Sequence, residues 1–179
     1  MTTTQRPAGL VAIDREMARQ ASDAIASFHQ ATTPATKIAA SLEATGKLLL
    51  LGMGGSHAVG RAVEPLYRAH GIDAVALPLS EQLGQPLPIE NKTILVTSQS
   101  GESAEVLRWF GETNGATPDT FGLTLEGGSF LARNAPSLIG VGGTEKAFAA
   151  TRSLTISFAL HLAVLAALGD DPAAAFQAL

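Results

Sequence analysis

The chain has 179 residues, 46% hydrophobic and 16% charged, which supplies apolar surface for one buried core and too little length for two domains of ordinary size. A net charge of −4 at pH 7, a pI near 5.5 and no run of Lys or Arg argue against a nucleic-acid face or a patch for anionic membranes. There is no cysteine, which excludes disulfides, thiolate metal sites and a cysteine nucleophile, and fits a reducing cytoplasm.

Taken in chain order, Met1 to Leu10 is polar and lacks a charged-then-apolar signal pattern. Asp14–His29 and Ala35–Ala44 are Ala-rich with apolar residues at helical spacing, and Thr32, Thr33 and Pro34 predict a break between them. A helical hairpin is therefore expected as a lead-in over residues 1–46. Short apolar runs follow at Leu48–Leu51, Ala74–Leu77, Thr93–Thr97, Thr120–Leu123 and Ser137–Val141, suited to strands buried on both faces. Between them, Ala58–His70, Ala104–Glu112 and Ser129–Arg133 are read as crossover helices, with a kink at Pro65. A last helix is expected from Thr144 to about Leu168. Its longest apolar stretch, from Ile156, is interrupted by Ser157 and His161, so no membrane span is expected. This alternation predicts an α/β fold, a doubly wound parallel sheet of five strands, with residues 1–179 as a single domain whose core is 47–168. The tail, 169–179, contains Pro172 and an Ala run and is read as a short helix that packs on another copy.

Two glycine- or serine-rich turns carry the chemistry. Thr97-Ser98-Gln99-Ser100-Gly101-Glu102-Ser103 follows a strand and precedes a helix, where backbone amides and the helix dipole favour an anion. Ser98, Ser100 and Ser103 add hydroxyl donors and Gly101 allows close backbone approach, so a phosphate is expected there; a serine-rich helix cap is the alternative. Gly52-Met53-Gly54-Gly55-Ser56-His57 makes a second amide-rich turn after another strand. A dinucleotide fingerprint fails because its third glycine falls on His57, and the Gly-Lys-Ser/Thr ending of a P-loop is absent. Ser56 is assigned to a sugar hydroxyl or phosphate. His57 is a candidate acid or base for ring opening, or else a histidine bonded to backbone at a helix start.

The blocks Gly52–Ser56, Ser80-Glu81, Ser98–Ser103, and Gly143-Thr144-Glu145 with Ala149-Ala150-Thr151-Arg152 occur in the order and spacing of a SIS (sugar isomerase) domain. The chain resembles that family over roughly Asp14 to Ala167, most of all the first of two tandem SIS halves in the isomerase part of glucosamine-6-phosphate synthase and related sugar-phosphate isomerases and deaminases. The resemblance implies a three-layer, flavodoxin/Rossmann-like sheet. It places Gly54, Gly55, Ser56, Ser98, Gln99, Ser100, Gly101 and Ser103 at the sugar phosphate, with Phe148 making a backbone contact to the sugar. In the tandem enzymes the enolising glutamate, ring-opening histidine and lysine come from the second half and the C-terminal tail. The lysine that single-domain relatives carry on the first glycine turn corresponds here to Gly55.

Moving a hydrogen between C1 and C2 of a sugar phosphate needs a base above an enediol and donors for the oxyanion. Glu145 and Glu102 are the candidate carboxylates, each with a capping role as the alternative, and His57 is the candidate histidine. Lys146 is read as a surface charge and His161 as a core or interface residue; His29, His70 and Trp109 show no usable pattern. No cofactor and no metal are expected. The expected ligand is a hexose or hexosamine 6-phosphate, and the expected chemistry is aldose–ketose isomerisation or amino-sugar-phosphate isomerisation or deamination. A noncatalytic sugar-phosphate sensor, or half of a split tandem enzyme, is the alternative. The apolar circumference of the last helix, Phe148–Leu168, predicts a homodimer or larger assembly. No nucleic-acid or membrane partner is expected.

Overall fold

The computed structural model describes residues 6–113, 117 and 119–171; the expected tail helix lies almost wholly outside them. Five strands, β1 (Lys47–Gly52), β2 (Asp73–Pro78), β3 (Thr93–Thr97), β4 (Thr120–Thr124) and β5 (Ser137–Ile139), form one all-parallel sheet in the order β2-β1-β3-β4-β5. Among the described residues six helices accompany them: α1 (Ala8–Thr45), α2 (Gly55–Ala69), α3 (Leu79–Gly84), α4 (Ala104–Glu112), α5 (Phe130–Asn134) and α6 (Arg152–Ala167). Strand side chains alternate between two cores, as a sheet covered on both faces requires. Leu48, Leu50 and Leu95 pack with α1, α2 and α6, whereas Leu49, Leu51, Ile94 and Val96 pack with Leu79, Val106, Trp109 and Leu131. The result is the expected three-layer α/β fold.

The strand order decides where a ligand can sit. From β1 the chain winds outward to β2, then returns to place β3 on the other side of β1. The loops leaving the carboxyl ends of β1 and β3 therefore run in opposite directions and open a crevice, the usual ligand position in such sheets. Both turns singled out in the sequence flank that crevice.

The lead-in departs from the expected hairpin. α1 is one helix of 38 residues that runs through Pro34. A proline inside a helix costs about 3 kcal/mol. Its buried stripe nevertheless continues across the proline, through Ala24, Phe28, Ala31, Ala35, Ile38 and Leu42, and this side packs along α6. Burying a side chain of this kind contributes about 1.5–3 kcal/mol for the larger ones, so the stripe outweighs one lost bond. α2 likewise continues through Pro65.

The last helix begins at Arg152, not near Thr144. Gly142 and Gly143 both lie at positive φ (94° and 70°), which takes the chain off the end of β5, and residues 144–151 are irregular. They wrap around the Glu145 carboxylate, which accepts hydrogen bonds from the first amides of α6. α6 is apolar on nearly every side because α1, α2 and the sheet enclose it within the chain. Its composition is thus accounted for without a second copy, and the expectation of self-association loses that support.

The open edge of β2 is closed by α2. The Arg68 side chain donates to the carbonyl of Ala74 (3.2 Å) and the Ala76 amide donates to Glu64 (3.0 Å), satisfying groups that an edge strand otherwise exposes. Glu64 is buried and holds ion pairs to Arg61 and Arg68.

Candidate functional site

A cavity of ≈ 220 Å³ opens in the crevice between the β1 and β3 loops. Its walls come from four places: Met53, Gly55 and Ser56 after β1; Leu79 at the start of α3; Thr97 to Ser100 with Ser103 and Val106 after β3; and Ala150, Ser153, Leu154 and Ser157 at the head of α6. Six of these are serines. Among the described residues no Asp, Glu, Lys, Arg or His lines it, so any anion held there is held by neutral donors and helix dipoles.

The serine loop is shaped from within. Gly101 sits at φ +63°, and a β-carbon there would run into Ser129, with its Cβ 2.6 Å away, so only glycine fits. The Gly101 amide donates to Ser98 Oγ (3.2 Å) and the Glu102 amide to Ser100 Oγ (3.2 Å). Each hydroxyl thereby has a lone pair occupied and a proton to offer a ligand. Ser103 is the N-cap residue of α4 in extended conformation, yet its side chain makes no capping hydrogen bond. Ser129, by contrast, caps α5 in the ordinary way, accepting from the Ala132 amide. The plain helix-cap reading of Ser103 therefore fails, and Ser103 lines the cavity at the helix N-terminus.

On the first glycine turn, Gly54 at φ +50° makes the bend. The amides of Ser56 and His57 are both committed to the Met53 carbonyl, and Ser56 lines the cavity. Gly55 lies against Leu154, whose Cδ2 would stand 2.6 Å from an added β-carbon.

Of the expected site residues, Gly55, Ser56, Ser98, Gln99, Ser100 and Ser103 line the cavity, while Gly54 and Gly101 set the turns behind it. The candidate acids and bases do not line it. Glu102 is exposed, accepts the Phe130 amide at 2.6 Å and lies 3.6 Å from Arg133, which places it at the start of α5. His57 points its Nδ1 away from solvent with no hydrogen-bond partner among the described residues. Phe148 is 79% exposed, its ring lies against Gly9 of α1, and it is not among the cavity walls, whereas Ala150, two residues on, is.

Glu145 is the most constrained of the four. Its two oxygens accept from the amides of Thr151, Arg152 and Ser153 and from the hydroxyls of Thr151 (2.6 Å) and Ser153 (2.5 Å). Burial pushes this carboxyl up, but the bonds from Ser153 and Thr151 outweigh it and hold the group below the usual carboxylate range. All its lone pairs are spoken for, so it serves α6 as an N-terminal anion. Its backbone carbonyl accepts from the Gln99 side chain (3.3 Å), which ties the serine loop to the head of α6.

Behind Glu145 lies a buried ion cluster without a counterpart in the sequence reading. Arg152 is fully buried and bonds Glu16 (2.7 Å), Asp23 (3.1 Å) and the carbonyls of Val141 and Gly143. Glu16 also accepts the Lys146 amide, the largest of the effects that lower its pKa. One arginine opening an otherwise apolar helix was the available signal, as were Ser153 and Ser157, spaced four apart on one helix side.

The sequence matches no family model and no curated protein. The fold, however, matches solved structures well. A ligand-bound protein from Escherichia coli CFT073 is 20% identical with a TM-score of 0.64, over 80% of this chain and 87% of that one. The tagatose-6-phosphate ketose/aldose isomerase from Escherichia coli is 23% identical with a TM-score of 0.74, over 87% of this chain and 47% of that one. The C-terminal domain of glucosamine-fructose-6-phosphate aminotransferase from Francisella tularensis is 16% identical with a TM-score of 0.72, over 87% and 48%. This chain thus spans about half the length of the latter two. With its all-parallel five-stranded sheet, the chain shares the fold of these sugar-phosphate enzyme structures.

Proposed function

We propose that this chain binds a sugar phosphate, a hexose or hexosamine 6-phosphate, with the phosphate on the Ser98–Ser103 loop and the sugar toward Ser56 and the head of α6. The observation that carries this reading is the unspent Ser103 hydroxyl at the N-terminus of α4, in a cavity walled by serines at the switch point of the sheet. The fold neighbours support it: one is described as a tagatose-6-phosphate ketose/aldose isomerase and another as a domain of a glucosamine-fructose-6-phosphate aminotransferase.

For the chemistry we propose isomerisation of the sugar phosphate, aldose–ketose or amino-sugar, in a homodimer or larger assembly in the cytoplasm, with residues 1–179 acting as one unit. Because no ionisable side chain among the described residues lines the cavity, the proton-transferring groups come from a second chain that completes it. Glu102 and His57 remain the candidates, offered across the interface to the partner's cavity; Glu145 stays at its own helix. The second reading, a noncatalytic sensor or half of a tandem enzyme, draws on the same bare lining and on the half-length match to longer isomerases.

Proton NMR in deuterated water with a panel of hexose and hexosamine 6-phosphates separates these. Deuterium entering C1 or C2 of one of them is the result expected of an isomerase. Saturable binding without exchange assigns the sensor or the half-enzyme, and no binding to any member of the panel overturns the phosphosugar reading.

A further inference from the structure

The hydroxyls of the cavity are not equivalent, and their bonding distinguishes its serine-loop wall from its α6 wall. At the serine loop, Ser98 and Ser100 accept backbone amides and have protons to give. At the head of α6, Ser153 is the reverse. Its hydroxyl donates to the Glu145 carboxylate at 2.5 Å, and its own amide donates to the same oxygen, so toward a ligand its oxygen is left only to accept. An anionic carboxylate lies directly behind it, within a frame held by the Arg152 ion cluster.

We propose that Ser153 is a specificity-determining residue: an acceptor, set by Glu145, that reads a hydrogen-bond donor on the sugar, hydroxyl or ammonium, at the α6 wall of the cavity. This rests on the proposed phosphate position at the serine loop. Glu145 is a positioning residue, acting through Ser153 and through its carbonyl bond to Gln99. The consequence is a fixed ligand polarity. A phosphate is disfavoured at the α6 wall, where it would meet an acceptor backed by negative charge, and a phosphate ester lacking hydroxyls has nothing to give that wall.

The test is calorimetric titration of the wild type and of Ser153→Ala with fructose 6-phosphate and with butyl phosphate, an ester that shares the phosphate and carries no hydroxyl. The expected result is that Ser153→Ala weakens fructose 6-phosphate about 5–10-fold and leaves butyl phosphate within about twofold, since one hydrogen bond is at stake. Ser153→Thr, which keeps the oxygen, is expected to recover most of the loss. A purely structural role for Ser153 would weaken both ligands alike; that outcome, or no change in either, overturns the proposal. If the wild type itself binds neither ester, the phosphate reading of the serine loop falls, and this inference with it.

Discussion

Gly101 shapes the serine loop, and Ser103, at the start of α4, has a hydroxyl that makes no capping bond. Replacing Gly101 with Ala forces a side chain into the left-handed region and against Ser129, a strain on the order of 1–3 kcal/mol. Thermal unfolding of Gly101→Ala is expected to show that loss, together with abolished phosphate-ester binding, because the loop must open to relieve it. Ser103→Ala is expected to leave stability within about 0.5 kcal/mol, as no capping bond is lost, and to weaken a hexose 6-phosphate about tenfold or more by titration. A drop in stability without a change in affinity would restore the helix-cap reading. The serine loop was legible from sequence because its residues are contiguous and sit between a strand and a helix. The α6 wall was not, since Ser153 and Ser157 gain meaning only when the helix is docked over the crevice. Glu145 was visible as a carboxylate, but its role depended on a loop that folds back onto α6.

At the scale of elements, the expectation that failed most clearly was the break at Pro34, where local propensity lost to a buried stripe on α1. Pro34 is exposed, so Pro34→Ala is expected to stabilise the protein by roughly 2 kcal/mol in denaturant unfolding. Destabilisation would mean that the proline bend is needed for α1 to follow α6. The α2–α6 contact carries a second device. His161 is fully buried, its Nδ1 lies 3.0 Å from the Tyr67 hydroxyl, and burial lowers its pKa to about 3. A folded pKa below the unfolded one means stability that is complete above about pH 6.5 and lost as pH falls toward 3, at about 1.4 kcal/mol per unit. His161→Gln is expected to flatten the acid limb of a stability–pH profile between those values; an unchanged limb would mean that His161 is not the group that titrates. Glu16 and Glu145, both held low, add to the acid loss at lower pH. The ion cluster makes its own prediction. Arg152→Met leaves Glu16 and Asp23 without their buried partner and is expected to cost about 3–5 kcal/mol by chemical unfolding.

For the whole molecule, the regular part of the fold was readable because five apolar runs alternate with helix-length segments, a pattern with few solutions. The strand order was not spelled out in the sequence; it follows from which strands pair, and it is what turns two separate loops into one crevice. The neutral cavity at that crevice is where the proposed ligand would sit, its phosphate at the serine loop and its sugar toward α6. The most direct test is a crystal structure of the protein with a bound hexose 6-phosphate. The phosphorus is expected within hydrogen-bonding reach of the Ser100 and Ser103 hydroxyls, with a sugar hydroxyl or amine on Ser153. A phosphate seated at the α6 wall or outside the crevice, with the serine loop unchanged and unoccupied, would contradict that placement.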